Sequence, residues 1–301
     1  MKTRTLVALL LTSLTLSAIP PAVDTSVSYA AKGGAGQGRH IVFLAGDEEY
    51  RSEEGLPMLA KILSQRHGFK CTVLFSVDQE GTIDPKSSKS LSNSVALDTA
   101  DAVVMLLRFR AWPDEDMARF DNLLRAGKPI VALRTSTHAF NGFPKGSRWE
   151  TWNYNNQGGF GKRVLGETWL THWGKHKVEA PADYRKPRST DKQEQGVNDP
   201  PMPVVWTRLN KNDNGTTNRI LTTTMGSATD LENEGLRRLV VNAVYWGLGF
   251  NVPKKADVTY VDEYRPSFYG FDGFRKGLHA SDFELGKKVP GEPLPRPTPV
   301  R

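Results

Sequence analysis

Ionisable side chains are concentrated in the stretch Asp47–Arg51, which Gly46 separates from the apolar run Ile41–Ala45. The run predicts a buried parallel strand, and a helix-like pattern begins at Ser52. Ligands of open α/β sheets bind beyond the carboxyl ends of the strands, so chemistry is expected at this turn. Acids at a helix start also suit the helix dipole, and turn formation alone is the alternative. The candidates are two acids for proton transfer and three residues for substrate binding: Asp47 and Glu49, and Glu48, Tyr50 and Arg51.

Two arginines, Arg108 and Arg110, follow a second apolar run at Ala102–Leu107. A guanidinium at a strand end can clamp a carboxylate or orient a sugar hydroxyl through its forked donors. Arg108 is therefore a substrate-binding candidate. A structural ion pair with the acids of the first turn is an equally good interpretation.

A third polar group, Arg134–Phe140, follows the apolar run Pro129–Leu133. Hydroxyls beside an imidazole suggest a serine nucleophile, but the Gly-x-Ser-x-Gly elbow of hydrolases is absent. His138 is therefore expected to act as an acid or base rather than to activate Ser136. The binding candidates of this group are Arg134, Thr135 and Ser136.

The segment 140–175 is rich in Gly, Trp and Asn. His172 and His176 could share a helix face and bind a metal, but Gly174 argues against a helix, so His172 is predicted to enter the cleft as a second acid or base. Tryptophans beside a polar cleft stack on sugar rings or fill a local core, and Trp169 is the predicted ligand contact. No standard metal-ligand spacing and no phosphate-loop ending are present, so neither a metal nor a cofactor is predicted.

These groups need a scaffold that brings strand ends together. Apolar runs alternate with helical patterns, which predicts βαβ units, a mostly parallel sheet and the α/β fold class. One domain is predicted over 39–250, and 251–301 is a Pro- and Gly-rich surface extension whose end, from Pro290, is disordered. The predicted strands are 41–45, 71–75, 102–107, 129–133, 177–179, 204–208 and 220–225, and the predicted helices are 52–66, 114–126 and 231–248.

The first 30 residues have the features of an export signal. Lys2 and Arg4 precede the apolar segment Leu6–Ala18, and the sequence Ser28-Tyr29-Ala30 offers a small-x-small cleavage site. A signal peptide over 1–30 and a periplasmic or secreted protein are predicted. No membrane span is expected after cleavage, since the apolar segment is too short to cross a bilayer.

The amino-acid composition limits the classes of partner that the chain is expected to bind. The chain has 40 basic and 33 acidic residues, a net charge of +7, without a block of Lys and Arg. Nucleic-acid binding is not expected, because it requires a concentrated basic face. Cys71 is the single cysteine, which excludes an intramolecular disulfide, and its strand-like surroundings predict a buried, inert thiol.

Over about residues 39–250 the chain resembles the trehalose-utilisation (ThuA-like) family. The matching segments are Gly46–Glu54, Leu133–Phe140, the glycines and aromatics from Gly161 to Gly174, Thr224–Gly226 and the helix Arg237–Trp246. The resemblance implies a flavodoxin-like three-layer α/β/α sandwich, similar to class I glutamine amidotransferases. Those enzymes carry a nucleophilic Cys at a position that falls here around Arg134 or Thr135, so glutamine hydrolysis is not expected.

Three functions are compatible with these features. The leading hypothesis is an exported enzyme of disaccharide or keto-sugar utilisation, of hydrolase or isomerase type, with a small-molecule carbohydrate as partner. The rival is a non-catalytic carbohydrate-binding protein that reuses an amidotransferase-like crevice. The third is a divalent-metal hydrolase with four ligands: Asp47, Glu49, His138 and His172.

Overall fold

The computed structural model describes residues 24–169 and 203–296. A seven-stranded sheet with the order β1-β3-β2-β4-β5-β7-β6 forms its centre. The two edge strands β1 and β6 are antiparallel to their neighbours, and the five strands between them are parallel. The strands are β1 (Ser26–Tyr29), β2 (His40–Gly46), β3 (Lys70–Phe75), β4 (Ala102–Leu107), β5 (Ile130–Leu133), β6 (Val205–Lys211) and β7 (Thr217–Thr223).

In the part of the chain that the structure describes, three α-helices flank the sheet: α1 (Ser52–His67), α2 (Asp114–Arg125) and α3 (Glu234–Gly247). Gly68 ends α1 in the left-handed conformation, with φ 77°, and its N–H binds the carbonyl of Leu63. Short 3₁₀ turns cover Ser94–Thr99, Arg134–His138, Glu150–Trp152, Asp230–Glu232 and Ala280–Phe283, and a π turn covers Gly161–Leu165. Among the described residues, no helix has the length and apolar character needed to cross a membrane.

Helices cover both faces of the sheet. Ile41 and Phe43 of β2 pack on the face that carries α1 and α3, whereas Val42 and Leu44 pack on the face that carries α2. Because β2 is buried on both faces, its sequence is a continuous apolar run rather than an alternating one. The predicted α/β class with a mostly parallel sheet is confirmed.

The observed elements follow the predicted ones closely at the centre of the sheet. The strand Ala102–Leu107 has the predicted bounds, and α1 ends one residue beyond its predicted end. The last helix starts at Glu234 rather than 231, because a separate 3₁₀ turn precedes it and Asn233 caps it. The strand predicted at 177–179 lies outside the described residues.

The N-terminal strand β1 lies inside the predicted signal peptide. Tyr29 is 1% exposed, and its hydroxyl donates a 2.7 Å hydrogen bond to the carbonyl of Phe283. Val27 also joins the core. The folded part therefore begins before residue 39, and cleavage after Ala30 would remove an edge strand of the sheet.

The C-terminal segment is part of the fold rather than a surface extension. Ala256, Val258 and Leu278 belong to the same core cluster as α1 and α3. The structure also differs from the disorder predicted from Pro290, because the backbone of Leu294 pairs with residues 267–268. Residues 297–301 lie outside the described part of the chain.

Candidate functional site

The candidate site lies at the carboxyl ends of β2 and β4. From β2 the chain continues to β3, which lies on one side of β2, whereas β4 lies on its other side. The direction in which successive strands are added to the sheet therefore reverses between β2 and β4. Ligands of doubly wound sheets bind at such a switch point. An open cleft of about 480 Å³ is found here, lined by Glu48, Lys86, Ser88, Phe109, Arg110, Phe271 and Asp272.

Asp47 shapes the turn at the end of β2. One of its carboxylate oxygens accepts hydrogen bonds from the N–H groups of Glu49 and Tyr50, at 2.7 and 2.6 Å. The other accepts a hydrogen bond from the hydroxyl of Thr135 beyond β5. Asp47 is 0% exposed, so both oxygens serve the fold and neither faces solvent. The position predicted to be catalytic therefore holds a turn-forming carboxylate.

Glu48 joins the turn after β2 to the residues after β4. Its carboxylate forms ion pairs with Arg108 and with Arg110, the latter at 3.2 Å. Arg110 is 2% exposed, and burial lowers the pKa of its guanidinium. The ion pair that the sequence allowed as an alternative is thus present, and it holds Arg108 against Glu48, which lines the cleft.

Glu49 is the third acid of the turn. It is partly buried, and burial together with the charge of Asp47 raises its pKa. The charges of Arg108 and Arg134 oppose this rise. A carboxyl whose pKa is raised keeps its proton closer to neutral pH, as a general acid must.

Tyr50 and Arg134 stack across the site. The guanidinium carbon of Arg134 lies 4.2 Å from the ring centroid of Tyr50, and one of its nitrogens donates to the carbonyl of Thr224 at 2.8 Å. Burial raises the pKa of the Tyr50 hydroxyl. The ring of Tyr269 packs against Tyr50 at 5.4 Å, which supports this stack from the C-terminal segment.

Arg51 does not line the cleft, contrary to its predicted binding role. It is 0% exposed and donates to the carbonyls of Glu48 and Gly270. The N–H of Gly270 in turn donates to the carbonyl of Glu49 at 2.8 Å. Arg51 therefore holds the C-terminal segment against the turn.

Three strand-end residues have a left-handed backbone without being glycine. Arg51, Phe109 and Arg134 have φ of 58°, 52° and 50°. Such conformations cost roughly 1–3 kcal/mol each and cluster at functional sites. Their occurrence after β2, β4 and β5, at one edge of the sheet, supports a site there.

The hydroxyls after β5 are used internally. The Thr135 hydroxyl donates a hydrogen bond to the Asp47 carboxylate, and Ser136 is 0% exposed. The Ser136 hydroxyl donates to the carbonyl of Met105 at 3.1 Å and accepts from the N–H of Leu107 at 3.2 Å. It fastens β4 to the 3₁₀ turn and does not face a ligand, so its predicted binding role does not fit its position.

His138 lies within a cluster of aromatic rings. Its ring centroid is 5.2 Å from those of both Phe109 and Trp169, and 6.2 Å from that of Tyr154. Its Nδ1 lies 3.2 Å from the hydroxyl of Thr137. His138 and Trp169, which were predicted separately as an acid or base and as a ligand contact, thus lie side by side. Sequence reasoning missed Phe109 and Tyr154, although an aromatic residue between two arginines after β4 was a usable signal for Phe109.

The remaining predicted features are placed as follows. Cys71 is buried on β3, and burial raises the pKa of its thiol, as expected for an inert side chain. His172 and His176 lie outside the described residues. Within 24–169 and 203–296, no group of three or more His, Cys, Asp or Glu side chains is arranged to hold a metal ion.

Comparison with known proteins finds no match of this chain to a family model, a curated protein or a solved structure. Function is consequently inferred from the site, since a fold alone does not specify an activity.

Proposed function

We propose that the chain has the flavodoxin-like, amidotransferase-like fold of the ThuA-like family but no covalent nucleophile. Counted along the chain, the five parallel strands have the order 2-1-3-4-5, which is typical of flavodoxin-like sheets. After β5, where the resemblance locates the amidotransferase Cys, the sharp turn is formed by Arg134. A guanidinium cannot act as this nucleophile, and the buried Ser136 cannot replace it.

We propose that the strand-end site around Glu49, next to the cleft that Glu48 lines, binds a carbohydrate and that the protein acts on it by general acid–base chemistry. The grouping of the partly buried Glu49 with Arg108 and Arg134, which follow β2, β4 and β5 at one edge of the sheet, carries this proposal, and the raised pKa of the Glu49 carboxyl supports it. Glu49 would donate a proton to the substrate, and the substrate hydroxyls would bind Arg108. Proton transfer by a positioned side chain contributes roughly 10²–10⁴-fold to a rate.

His138 is the second proton carrier in this proposal. Its aromatic neighbours Phe109, Tyr154 and Trp169 supply flat apolar faces, and such faces match the apolar face of a sugar ring. The aromatic cluster therefore favours a sugar over a flexible acyclic ligand. Asp47 and Thr135 position the turn and take no part in proton transfer.

Substitution of Glu49 tests the proposal. The purified protein would be incubated with a panel of disaccharides and keto-sugars, with products identified by mass spectrometry. E49Q keeps the shape of the side chain but has no acidic proton to transfer, so turnover should fall about 100-fold or more. E115Q, on an exposed side chain of α2, is the matched control. Equal turnover by E49Q and the unmodified chain would exclude Glu49 as the acid.

A non-catalytic carbohydrate-binding protein is the second candidate. The observation that favours it is the internal use of the Asp47, Thr135 and Ser136 side chains, which leaves few reactive groups at the strand ends. Calorimetry that detects binding of a sugar, without any product by mass spectrometry, would select binding over catalysis.

We also propose that the protein is exported, to the periplasm or the medium, with cleavage ahead of Ser26 rather than after Ala30. The basic and apolar signal of residues 1–18 supports export. The packing of Val27 and Tyr29 in the core supports the earlier cleavage point.

A further inference from the structure

Basic side chains collect at the amino ends of the parallel strands, the end of the sheet opposite the candidate site. Arg39 directly precedes β2, Lys70 is the first residue of β3, Lys128 lies shortly before β5, and Arg219 lies near the start of β7. The pairing registers of these strands place all four residues at one level of the sheet. They therefore lie along a single edge.

The loop that follows α3 adds Lys254 and Lys255 to the same edge. At the start of this loop, the ring of Phe250 stacks on that of Phe69, just before β3, with centroids 6.3 Å apart. At its end, the carbonyl of Asp257 lies 2.8 Å from a ring nitrogen of the last residue of α1. Both lysines lie between these two anchored points, and both are exposed.

Few acids oppose this basic face, which comprises Arg39, Arg66, Lys70, Lys128, Arg219, Lys254 and Lys255. Asp101 is shared by Arg39 and Lys128, at 3.3 and 3.4 Å, and Asp257 lies 3.9 Å from Arg66. The ion pairs of the described residues leave the other three lysines of the face without an acidic partner. The face therefore carries a clear positive excess.

Acids at the rim of the basic face are offset by bases of their own. Asp98 pairs with Arg119, Asp121 with Arg125 and Asp262 with Lys61, and Lys211 lies two residues before Asp213 at the tip of the β6–β7 hairpin. The positive excess is thus local to this edge of the sheet. The sequence shows no basic block because the members of the face are scattered along the chain and only the fold assembles them.

Apolar groups lie among the charges of the basic face. Val252 is 44% exposed, and the rings of Trp246 and Phe250 are half-buried. The guanidinium carbon of Arg219 lies 5.9 Å from the Trp246 ring centroid, and that of Arg39 lies 5.9 Å from the Phe250 centroid. Basic and aromatic side chains together suit the interface of a bilayer. The guanidinium over each ring occupies a face on which a nucleic-acid base would stack.

We infer that the basic face docks the protein on an anionic membrane surface. Lys254 and Lys255 meet the lipid headgroups, and Val252 enters between them. Each Lys or Arg held near an anionic membrane adds to the affinity, and exposed apolar groups among them add a second contribution. This inference goes beyond the proposed function and is independent of it.

Docking through the basic face leaves the candidate site turned away from the membrane. Arg39 and Asp47 flank the seven residues of β2. At about 3.3 Å per residue, they are roughly 25 Å apart. The candidate site therefore stays open to solvent while the opposite edge of the sheet is bound.

Vesicle flotation of the purified chain tests this inference. Vesicles of phosphatidylcholine mixed equally with phosphatidylglycerol should bind the chain at least about tenfold more tightly than vesicles of phosphatidylcholine alone. In about 1 M salt, where the Debye length is about 3 Å, this difference should disappear. Any binding through the apolar segment Leu6–Ala18 is common to all variants, so comparisons between variants report on the basic face.

The double variant K254Q/K255Q removes two exposed charges from the basic face. It should weaken binding to the phosphatidylglycerol vesicles about tenfold or more. K287Q/K288Q is the matched control, because it removes an exposed lysine pair that lies outside the basic face, and it should leave binding within about twofold.

Two single variants test the face at other positions. K70Q should weaken binding to the phosphatidylglycerol vesicles severalfold, and V252N should do the same by removing the exposed apolar contact. Equal binding to the two kinds of vesicle, or undiminished binding by K254Q/K255Q, would overturn the inference. Tighter binding of duplex DNA or of heparin than of the phosphatidylglycerol vesicles would overturn the assignment of a membrane as the partner.

Discussion

Asp47 and Thr135 lie 88 residues apart in the chain, and the Thr135 hydroxyl donates a hydrogen bond to the Asp47 carboxylate. This bond joins the turn after β2 to the turn after β5. The same carboxylate organises the turn that carries Glu48, Glu49 and Tyr50. A single buried acid thus sets the relative positions of two walls of the candidate site.

We therefore expect T135V to destabilise the fold. Valine has nearly the shape of threonine but leaves one oxygen of a fully buried carboxylate without its partner, which costs about 1–3 kcal/mol. T135S keeps the hydroxyl and should lose less. Urea denaturation of the three proteins measures the difference. Equal unfolding free energies for T135V and the unmodified chain would show that this hydrogen bond contributes nothing.

Glu53 makes stability depend on pH. It is 2% exposed, neither oxygen has a hydrogen-bond partner, and burial with the neighbouring charge of Glu54 raises its pKa to about 8. The unfolded chain releases this proton near pH 4.3, whereas the folded chain keeps it to about pH 8. The unfolded state therefore binds fewer protons across this window, and the contribution of Glu53 to stability falls as the pH rises through it.

E53Q should remove this dependence. The difference in unfolding free energy between E53Q and the unmodified chain should grow in favour of E53Q from about pH 4.3 to about 8, by at most about 1.4 kcal/mol per pH unit, and then level off. Urea denaturation at several pH values measures it. A constant difference across this range would mean that Glu53 titrates alike in both states.

The sequence was sufficient to predict that several polar groups lie at the carboxyl ends of strands. Strands buried on both faces are continuous apolar runs, as at Ala102–Leu107, so the residues that follow them could be placed on one edge of the sheet. Asp47, Arg108 and His138 are at that edge for this reason. Which of their side chains face solvent could not be predicted, because it depends on hydrogen bonds between distant turns.

The contribution of the C-terminal segment was missed for a different reason. Tyr269 and Phe271 lie in a stretch without helical or strand periodicity, so no secondary-structure element could be predicted there from the sequence. Their positions depend on long-range contacts such as that of Arg51 with Gly270. The strand β1 was missed because its residues, which include Tyr29, also satisfy the pattern of a signal cleavage site.

The packing of β1 predicts where the signal peptide can be cleaved without loss of stability. A chain that begins at Asp24 should be more stable than one that begins at Ala31, by about 3 kcal/mol or more, because the buried Val27 and Tyr29 leave the core in the shorter chain. Y29F, which loses only the hydrogen bond to Phe283, should cost about 1 kcal/mol.

Urea midpoints compare these chains, and the intact mass of the exported protein locates its first residue. An exported protein that begins at Ala31 and is as stable as the longer chain would contradict this limit.

Gly161 controls the distance between the π turn and the 3₁₀ turn that carries His138. A Cβ at this position would lie 2.0 Å from the backbone oxygen of Thr137, the residue before His138, and 2.8 Å from that of Glu167. Neither backbone can move without shifting the aromatic cluster around His138. G161A should therefore lower stability by about 1–3 kcal/mol through overpacking and displace the Trp169 ring. Tryptophan fluorescence and urea denaturation measure the two effects, with K162A on the neighbouring exposed side chain as the control. If G161A matched the unmodified chain in both measurements, the close approach of these two turns would have no role in placing His138.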